Sequence, residues 1–187
     1  MNSSRLAVYK SLFRNKLRYL ISRIPAPEKA RKSRLIASRI FSGRLFKAAK
    51  NILIYCALAD EVDTSPVIRK ALSLRKKVFL PRLDPRSREL SIFLVGKSGG
   101  LEKNFLGIPE PGPLLHESGS PESVDLILVP GLGFDASGRR LGRGGGSFDR
   151  FLSKCRAKKV GLAFREQVVE ELPAAPHDIR MDQVVTD

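Results

Sequence analysis

The hydrophobic residues near the start of the chain follow a helical period. In the first segment the apolar positions are three or four residues apart: Leu6, Tyr9, Phe13, Leu17, Leu20 and Ile24. This spacing predicts an amphipathic helix over residues 6–24. A second helix is predicted from about residue 25 to about residue 50, because Pro27 suits the first turn of a helix.

Beyond residue 50 the pattern changes to short apolar runs that alternate with helical segments. NILIYCAL, KKVFLP, ELSIFLV, VDLILVP and KKVGLAF predict buried strands, and MDQVVTD predicts an edge strand. Short helices are predicted over residues 63–74, 147–155 and 165–172, and residues 96–123 are predicted to be a long irregular connection. Strands that are apolar on both faces and alternate with helices predict an α/β fold with a mostly parallel sheet covered by helices. We find no domain boundary and expect a single domain over residues 1–187.

Composition narrows the class of protein. The longest apolar run, residues 52–59, is far shorter than the roughly 20 residues that span a bilayer. Two cysteines, Cys56 and Cys155, and two histidines leave little material for a zinc site or a His-based triad. We find no secretory segment and expect a cytoplasmic protein, although residues 1–27, basic and free of acid, also suit a mitochondrial presequence.

The net charge of +15 predicts an anionic partner. Residues 1–50 contain 14 of the 34 basic residues and one acid, Glu28. Such a surface attracts nucleic acid, anionic lipid, or small phosphorylated and polycarboxylate ligands. The sign of the charge does not choose among them.

The stretch RLGRGGGSFDR, residues 140–150, is the strongest candidate for a ligand site. Seven of the 15 glycines lie between residues 131 and 146, and a short predicted helix follows them. Glycines let backbone N–H groups approach phosphate oxygens, and Arg140 and Arg143 can add charge-assisted bonds. Asp149 is an oxygen ligand of the kind that Mg²⁺ prefers. The stretch matches neither the P-loop nor the dinucleotide-binding pattern, and a flexible surface turn is the simpler alternative.

The first helix carries a row of cations, Lys10, Arg14 and Arg18, four residues apart. Like charges at this spacing repel each other by a few tenths of a kcal/mol per pair on an isolated helix. The row is either a solvated helix face or one side of a polyphosphate site.

Taken together, these segments resemble the 5-formyltetrahydrofolate cyclo-ligases, also called methenyltetrahydrofolate synthetases. The similarity runs along nearly the whole chain and is carried in order by KSLFR, DEVDT, GIPEP, DLILVPGLGFDASGRRLGRGGGSFDR, AFREQ and PHDIRMDQVVT. It implies a Rossmann-like three-layer α/β sandwich. It also implies a ligase of one-carbon folate metabolism that closes 5-formyltetrahydrofolate to 5,10-methenyltetrahydrofolate with ATP and Mg²⁺.

In this family the formyl oxygen attacks the γ-phosphate of ATP, N10 then attacks the activated carbon, and phosphate leaves as the ring forms. Positioning and charge neutralisation do most of this work. The implied partners are ATP and the folate. We expect a monomer that binds neither membrane nor nucleic acid.

The resemblance also implies roles for particular residues. Catalytic roles fall to Lys10, Arg14 and Arg143, and Mg²⁺ would be held by Asp149 and Asp178. The ATP-binding residues would be Lys10, Arg14, Arg140, Leu141, Gly142, Arg143, Gly144, Gly145, Gly146, Ser147 and Phe148. The folate-binding residues would be Cys56, Glu61, Arg143, Gly144, Gly145, Gly146 and Ser147.

Alternatives remain for single residues and for the whole protein. Glu61 can instead interact with a helix dipole, Asp149 can cap its helix, and Asp178 can be a surface acid. Ser147 stands where the family usually has an aromatic residue, and Leu106 where some members have Trp, so stacking surface is lost. The rival functions are a folate or nucleotide sensor without catalysis, and a nucleic-acid-binding protein that uses residues 1–50.

Overall fold

The computed structural model describes residues 3–95, 101–103, 109–111, 118–176 and 178–187. The helices are α1 (Ser3–Ser22), α2 (Ala26–Ser42), α3 (Arg44–Ala48), α4 (Ser65–Ser73) and α5 (Ser147–Leu152). The first strands are β1 (Asn51–Leu53), β2 (Lys77–Leu83), β3 (Leu90–Leu94), β4 (Leu101–Lys103), β5 (Pro109–Pro111) and β6 (Ser118–Gly119). The later ones are β7 (Leu126–Val129), β8 (Gly133–Asp135), β9 (Arg140–Leu141), β10 (Lys158–Leu162), β11 (Val168–Val169) and β12 (Gln183–Val185).

A seven-stranded sheet organises the chain, with strand order β12-β10-β7-β1-β2-β3-β6. The five strands from β12 to β2 are parallel, and β3 and β6 are antiparallel to their neighbours. Helices α2 to α5 flank this sheet, which confirms the predicted α/β fold with a mostly parallel sheet. β12 lies at the edge, as its sequence predicted.

The sheet is buried on both faces because its strands carry apolar residues at successive positions. In β1, Ile52 packs in the core that contains residues of α2, α3 and α4, whereas Leu53 packs on the opposite side with residues of α5. All four residues of β7 are buried. Because successive side chains of a strand point to opposite faces, the apolar strands pack against helices on both faces. The result is three layers, with the sheet between two layers of helices.

A second, three-stranded sheet of order β11-β8-β9 supports the first helix. Leu17 and Ile21 of α1 are buried against Leu132, Leu141 and Leu172 on and around this small sheet. Among the described residues, none of the helices is long and apolar enough to cross a membrane.

Two predicted helices differ in the structure. The helix expected over residues 25–50 is interrupted at Gly43, whose extended backbone separates α2 from α3. The helix expected over residues 165–172 is wrong: a 3-10 turn at Arg165–Gln167 leads directly into β11. The buried Gln167 causes the difference, because its side chain accepts from Phe164 N–H and donates to Gly131 O, while β11 pairs with β8.

The predicted strand over residues 51–58 is also shorter than expected, since β1 ends at Leu53. The connection expected over residues 96–123 contains β4, β5 and β6 within its described parts, and the rest of it, Leu106 included, lies outside the described residues.

The β8–β9 hairpin depends on one buried carboxylate. The side chain of Asp135, which is almost fully buried, accepts N–H bonds from Ser137, Arg139 and Leu172 at 2.9, 3.0 and 3.0 Å. Asp135→Ala removes the acceptor of all three donors. We expect it to lower the free energy of unfolding by about 3 kcal/mol or more, measured by urea denaturation.

Asp60→Ala is the matched control, because the Asp60 side chain is partly exposed and forms an ion pair at the surface. It should change the free energy of unfolding by less than about 1 kcal/mol. Equal effects of the two variants would contradict the role given to Asp135.

Candidate active site

The main cavity lies where the strand order of the large sheet reverses. On one side of β1 lies β2, the next strand along the chain. On its other side lies β7, and the sheet continues from there to β10 and β12. In α/β sheets a ligand crevice forms beyond the carboxyl ends of the strands at such a point. Here Tyr55 and Cys56 after β1, and Pro130 and Gly131 after β7, line a cavity of about 660 Å³. This volume suits a small-molecule site.

Helix α1 directs two cations into this cavity. Leu17 and Ile21 fix the inner face of the helix, and Lys10 and Arg14 lie on the same face toward its N-terminus. Arg18 is exposed and lies on a solvated face of the helix, whereas Lys10 and Arg14 line the cavity. Tyr9, which the sequence pattern placed on the apolar face, is exposed as well.

Arg14 is partly buried and has both a cation, Arg18, and an acid, Asp178, as charged neighbours. Its Nε donates to Gly142 O at 3.0 Å. Burial lowers the pKa of Arg14 below its ordinary value, and the charge of Arg18 lowers it further, while Asp178 raises it. The guanidinium group of Arg14 keeps its positive charge, and an anionic ligand would stabilise that charge.

The glycine loop, Gly142–Gly146, connects β9 to α5 and forms one wall of the cavity. Gly144 and Gly146 have φ of 111° and 68°, in the left-handed region that side chains disfavour. Gly146 directly precedes the first turn of α5, and the helix has no side-chain cap. Asp149 thus does not cap α5, and the stretch is a cavity wall, not a simple surface turn.

Arg140 ties this wall to the end of β7. Its side chain is 3 % exposed and donates to Pro130 O at 3.0 Å and to Asp149 Oδ2 at 2.8 Å. Its guanidinium carbon lies 5.7 Å from the ring centre of Phe148. Its buried Nε has no partner among the described residues.

Arg143 closes the opposite side of the cavity. It contacts Glu61 Oε1 through Nε at 3.2 Å and Nη2 at 3.1 Å, and Asp60 Oδ1 through Nη2 at 2.6 Å. Glu61 precedes α4 and faces the cavity, so a helix-dipole role does not explain it. Burial raises the pKa of Glu61, although Leu58 N–H and Arg143 both act to lower it.

The C-terminal segment supplies the last predicted site residue. Asp178 Oδ2 accepts from Lys10 Nζ at 2.5 Å and from Ala175 N–H at 2.6 Å, and its side chain is 15 % exposed. Asp178 is therefore a cavity residue that pairs with helix α1, not an ordinary surface acid.

All residues that the sequence singled out for the site line this one cavity. Their individual roles stay predictions. The sequence analysis missed the residues Tyr55, Leu58, Pro81, Leu83, Arg88, Leu90, Pro130, Gly131, Arg150 and Ser153. Leu58 and Pro130 were accessible to sequence reasoning, because they end predicted strands. The residues on β2 and β3 were not, since their approach to the glycine loop is a tertiary contact.

Three cations of the cavity are each paired with one or two carboxylates, and these ion pairs combine groups with opposite ligand preferences. They are Lys10–Asp178, Arg140–Asp149 and Arg143 with Glu61 and Asp60. The cations suit phosphate or carboxylate groups, and the carboxylates suit a metal ion or N–H donors. Fold and site together define the class of α/β proteins that have a cavity for a small molecule at the carboxyl ends of parallel strands.

Comparisons with known proteins specify that class. The model of the 5-formyltetrahydrofolate cyclo-ligase family matches residues 7–187. A 5-formyltetrahydrofolate cyclo-ligase of Mus musculus is 31 % identical over 183 residues, which cover 92 % of this chain and 90 % of the relative. The chain therefore belongs to the 5-formyltetrahydrofolate cyclo-ligase family, whose members are ligases.

Solved structures agree with this assignment. The NMR structure of Aquifex aeolicus 5,10-methenyltetrahydrofolate synthetase has a TM-score of 0.81 and 37 % identity, covering 94 % of this chain and 88 % of that one. A 5,10-methenyltetrahydrofolate synthetase of Mycoplasma pneumoniae has a TM-score of 0.73 at 21 % identity, covering 95 % and 98 %. The second likeness supports the fold alone.

The raised pKa of Glu61 makes a prediction about stability. A carboxyl group whose pKa is higher in the folded than in the unfolded state loses stabilisation as pH rises between the two values. Glu61→Gln cannot ionise, so the variant should become more stable relative to the natural protein as pH increases from about 4 to 7. Thermal unfolding at several pH values measures this trend. A stability difference that stays constant or changes in the opposite direction would show that Arg143 outweighs burial.

Proposed function

We propose that this protein catalyses the ATP- and Mg²⁺-dependent cyclisation of 5-formyltetrahydrofolate to 5,10-methenyltetrahydrofolate, with release of ADP and phosphate. The observation that carries the proposal is the convergence of the glycine loop, its arginines, Lys10 and Arg14 on one cavity in a member of this family. We take the whole chain, residues 1–187, to act as a single catalytic domain.

The triphosphate would bind between helix α1 and the glycine loop. Lys10 and Arg14 lie on one side, and the backbone from Arg140 to Phe148 lies on the other. Free N–H groups and guanidinium groups are the donors that phosphate oxygens require. The hydrogen bond from Arg14 to Gly142 O supports a common binding site, because it joins the two sides directly.

Asp149 and Asp178 would hold the magnesium ion. Mg²⁺ typically takes one or two carboxylates together with phosphate oxygens and water. Both carboxylates line the cavity, and each is already placed against a positive charge, that of Arg140 or Lys10. These residues fit the ion. When bound, Mg²⁺ would neutralise the negative charge that shifts toward the leaving ADP during phosphoryl transfer.

The folate would occupy the part of the cavity next to Glu61 and Cys56. The carboxylate of Glu61 suits the adjacent N–H donors of a pterin ring, and Cys56 contributes to the wall. Glu61 pairs with Arg143 in this structure. Binding of the pterin to Glu61 and of phosphate to Arg143 would therefore replace this ion pair. Arg143, with Gly144 to Ser147, would then lie between the two substrates.

The chemistry requires two bonds to form in order. The formyl oxygen of the substrate attacks the γ-phosphorus and ADP leaves, which converts the formyl group into an activated iminium phosphate. N10 then attacks the activated carbon, loses its proton, and the carbon–oxygen bond breaks with release of phosphate. Lys10, Arg14 and Arg143 would orient the phosphoryl group and stabilise its charge, which is the main demand of phosphoryl transfer.

The setting proposed for this reaction is a cytoplasmic monomer with small-molecule partners. Cys56 and Cys155 do not form a disulfide with each other, in keeping with a reducing compartment. Burial raises the pKa of Cys155 to about 11, so its thiol is unreactive at neutral pH.

The decisive experiment is a cyclisation assay with purified protein. Methenyl product, followed by its near-ultraviolet absorbance, should form only when ATP and Mg²⁺ are both present. Asp149→Asn should lower kcat by about 100-fold or more because a metal ligand is lost, while the circular dichroism spectrum is kept because the amide oxygen can still accept from Arg140. Glu171→Gln, which removes an exposed carboxylate outside the cavity, is the control.

The outcomes of this assay separate the rival functions. Binding of MgATP and folate without product would support a sensor. Normal turnover by Asp149→Asn at all Mg²⁺ concentrations would remove the metal role. Absence of folate binding, with nucleic-acid binding that survives physiological salt, would overturn the proposal in favour of a nucleic-acid-binding protein.

Helix α1 offers a matched pair of variants for the phosphate site. Arg14→Gln should raise the KM for ATP by about 10- to 100-fold, because a partly buried charge-assisted contact is lost. Arg18→Gln removes a charge one turn away, where it is exposed to solvent, and should change the KM by less than about threefold. Equal effects of both variants would show that only the net charge of the helix matters.

A further inference from the structure

Two arginines of the cavity have no part in the function proposed above. Arg88 lies in the turn between β2 and β3, and Arg150 lies in α5. Both line the cavity and both are exposed, so they stand at its mouth.

The turn that carries Arg88 is firmly built. Asp84 N–H donates to Glu89 O, and Arg88 N–H donates to Asp84 O. The side chain of Asp84 also accepts N–H bonds from Arg86 and Ser87. Arg88 has φ of 60°, an uncommon conformation for a residue with a side chain. The hydrogen-bonded turn holds this conformation in place at the cavity mouth.

Arg150 approaches the same place from the other side. It donates to Arg88 O at 3.0 Å and to Gly145 O at 3.3 Å. Arg88 Nη1 is 3.9 Å from the position that a Cβ atom on Gly145 would take. The two guanidinium groups therefore converge on the glycine loop near Gly145.

Among the residues that the structure describes, no carboxylate pairs with Arg88 or Arg150. Lys10, Arg140 and Arg143 each form an ion pair with a carboxylate of the cavity. Within the described parts of the chain, Arg88 and Arg150 form no such pair, and the partners of Arg150 are neutral oxygens. Two neighbouring cations without an acid between them repel each other, and an anionic ligand would convert the repulsion into attraction.

An apolar surface leads to this pair from inside the cavity. Leu83 and Leu90 face each other across the β2–β3 pair, and Pro81 lies two residues before Leu83. All three line the cavity. A ligand that binds here is apolar where it crosses these residues and anionic where it reaches the mouth. The phosphate donors of helix α1 contact the other end of the loop, at Gly142.

We infer that Arg88 and Arg150 bind the carboxylates of the glutamyl part of the folate substrate, while its aromatic ring lies against Leu83 and Leu90. This inference rests on the proposed function, because it assigns the tail of the same substrate. It makes Arg88 a specificity-determining residue that distinguishes folates from pterin compounds without a glutamyl group.

The test compares two substrates that differ in that group alone. 5-Formyltetrahydrofolate carries the glutamyl residue, and 5-formyltetrahydropteroate keeps N10 and the ring system without it. Calorimetry with Mg²⁺ and a non-hydrolysable ATP analogue gives both Kd values without turnover. The natural protein should prefer the glutamyl compound by about tenfold or more, and Arg88→Gln should reduce this preference to about threefold or less. Arg88→Lys should restore part of it.

Arg86→Gln is the matched control, since Arg86 is exposed on the same turn and does not line the cavity. It should leave the preference and the KM for ATP unchanged. A rise in the KM for ATP in Arg88→Gln, with the preference intact, would assign the pair to nucleotide phosphate and overturn the inference. An unchanged preference in Arg88→Gln would overturn it as well.

The two proposals fail in different ways. If the natural protein binds both folates and Arg88→Gln loses the preference but no product ever forms, the cyclisation fails and the tail site stands. If product forms and the preference does not depend on Arg88, the tail site alone is wrong. If neither folate binds, both are wrong.

Discussion

The site depends on one buried guanidinium group. Arg140 joins the end of β7, through Pro130 O, to the first turn of α5, through Asp149. A cation that is 3 % exposed is stable in the interior only when its charge and its donors are compensated. Because the glycine loop lies between these two anchors, the pairing fixes both ends of the segment that forms the cavity wall.

The charge arrangement around this pair explains how a site rich in arginine can exist before ligands bind. Lys10, Arg140 and Arg143 belong to different elements, and each is paired with an acid from another segment of the chain. Binding of a magnesium–triphosphate complex would exchange partners instead of placing new charges in a dry pocket. The complex itself brings anions for the cations and a cation for the carboxylates. The electrostatic cost of entry is thereby reduced.

Sequence patterns predicted the sheet, and together with the family resemblance they predicted most of the residues that line the cavity. Strands such as Leu126–Val129 are apolar throughout, and glycines beside arginines indicate a candidate ligand loop before any contact is known. The helix over 165–172 was wrong because Gln167 caps a tight turn through contacts with Phe164 and Gly131, which no periodicity reveals. Arg88 and Arg150 were missed for a similar reason. Their meeting at Gly145 is created by the folding of the β2–β3 hairpin onto α5.

The contact between Lys10 and Asp178 has a consequence for biosynthesis. The two residues are 168 positions apart, so the chain must leave the ribosome as far as Asp178 before they can meet. Earlier parts of the sheet can assemble during translation, because domains fold as their segments emerge. The corner of the cavity closed by this pair forms only after residue 178 has emerged, so a nascent chain interrupted before that residue carries the cations of α1 without their carboxylate.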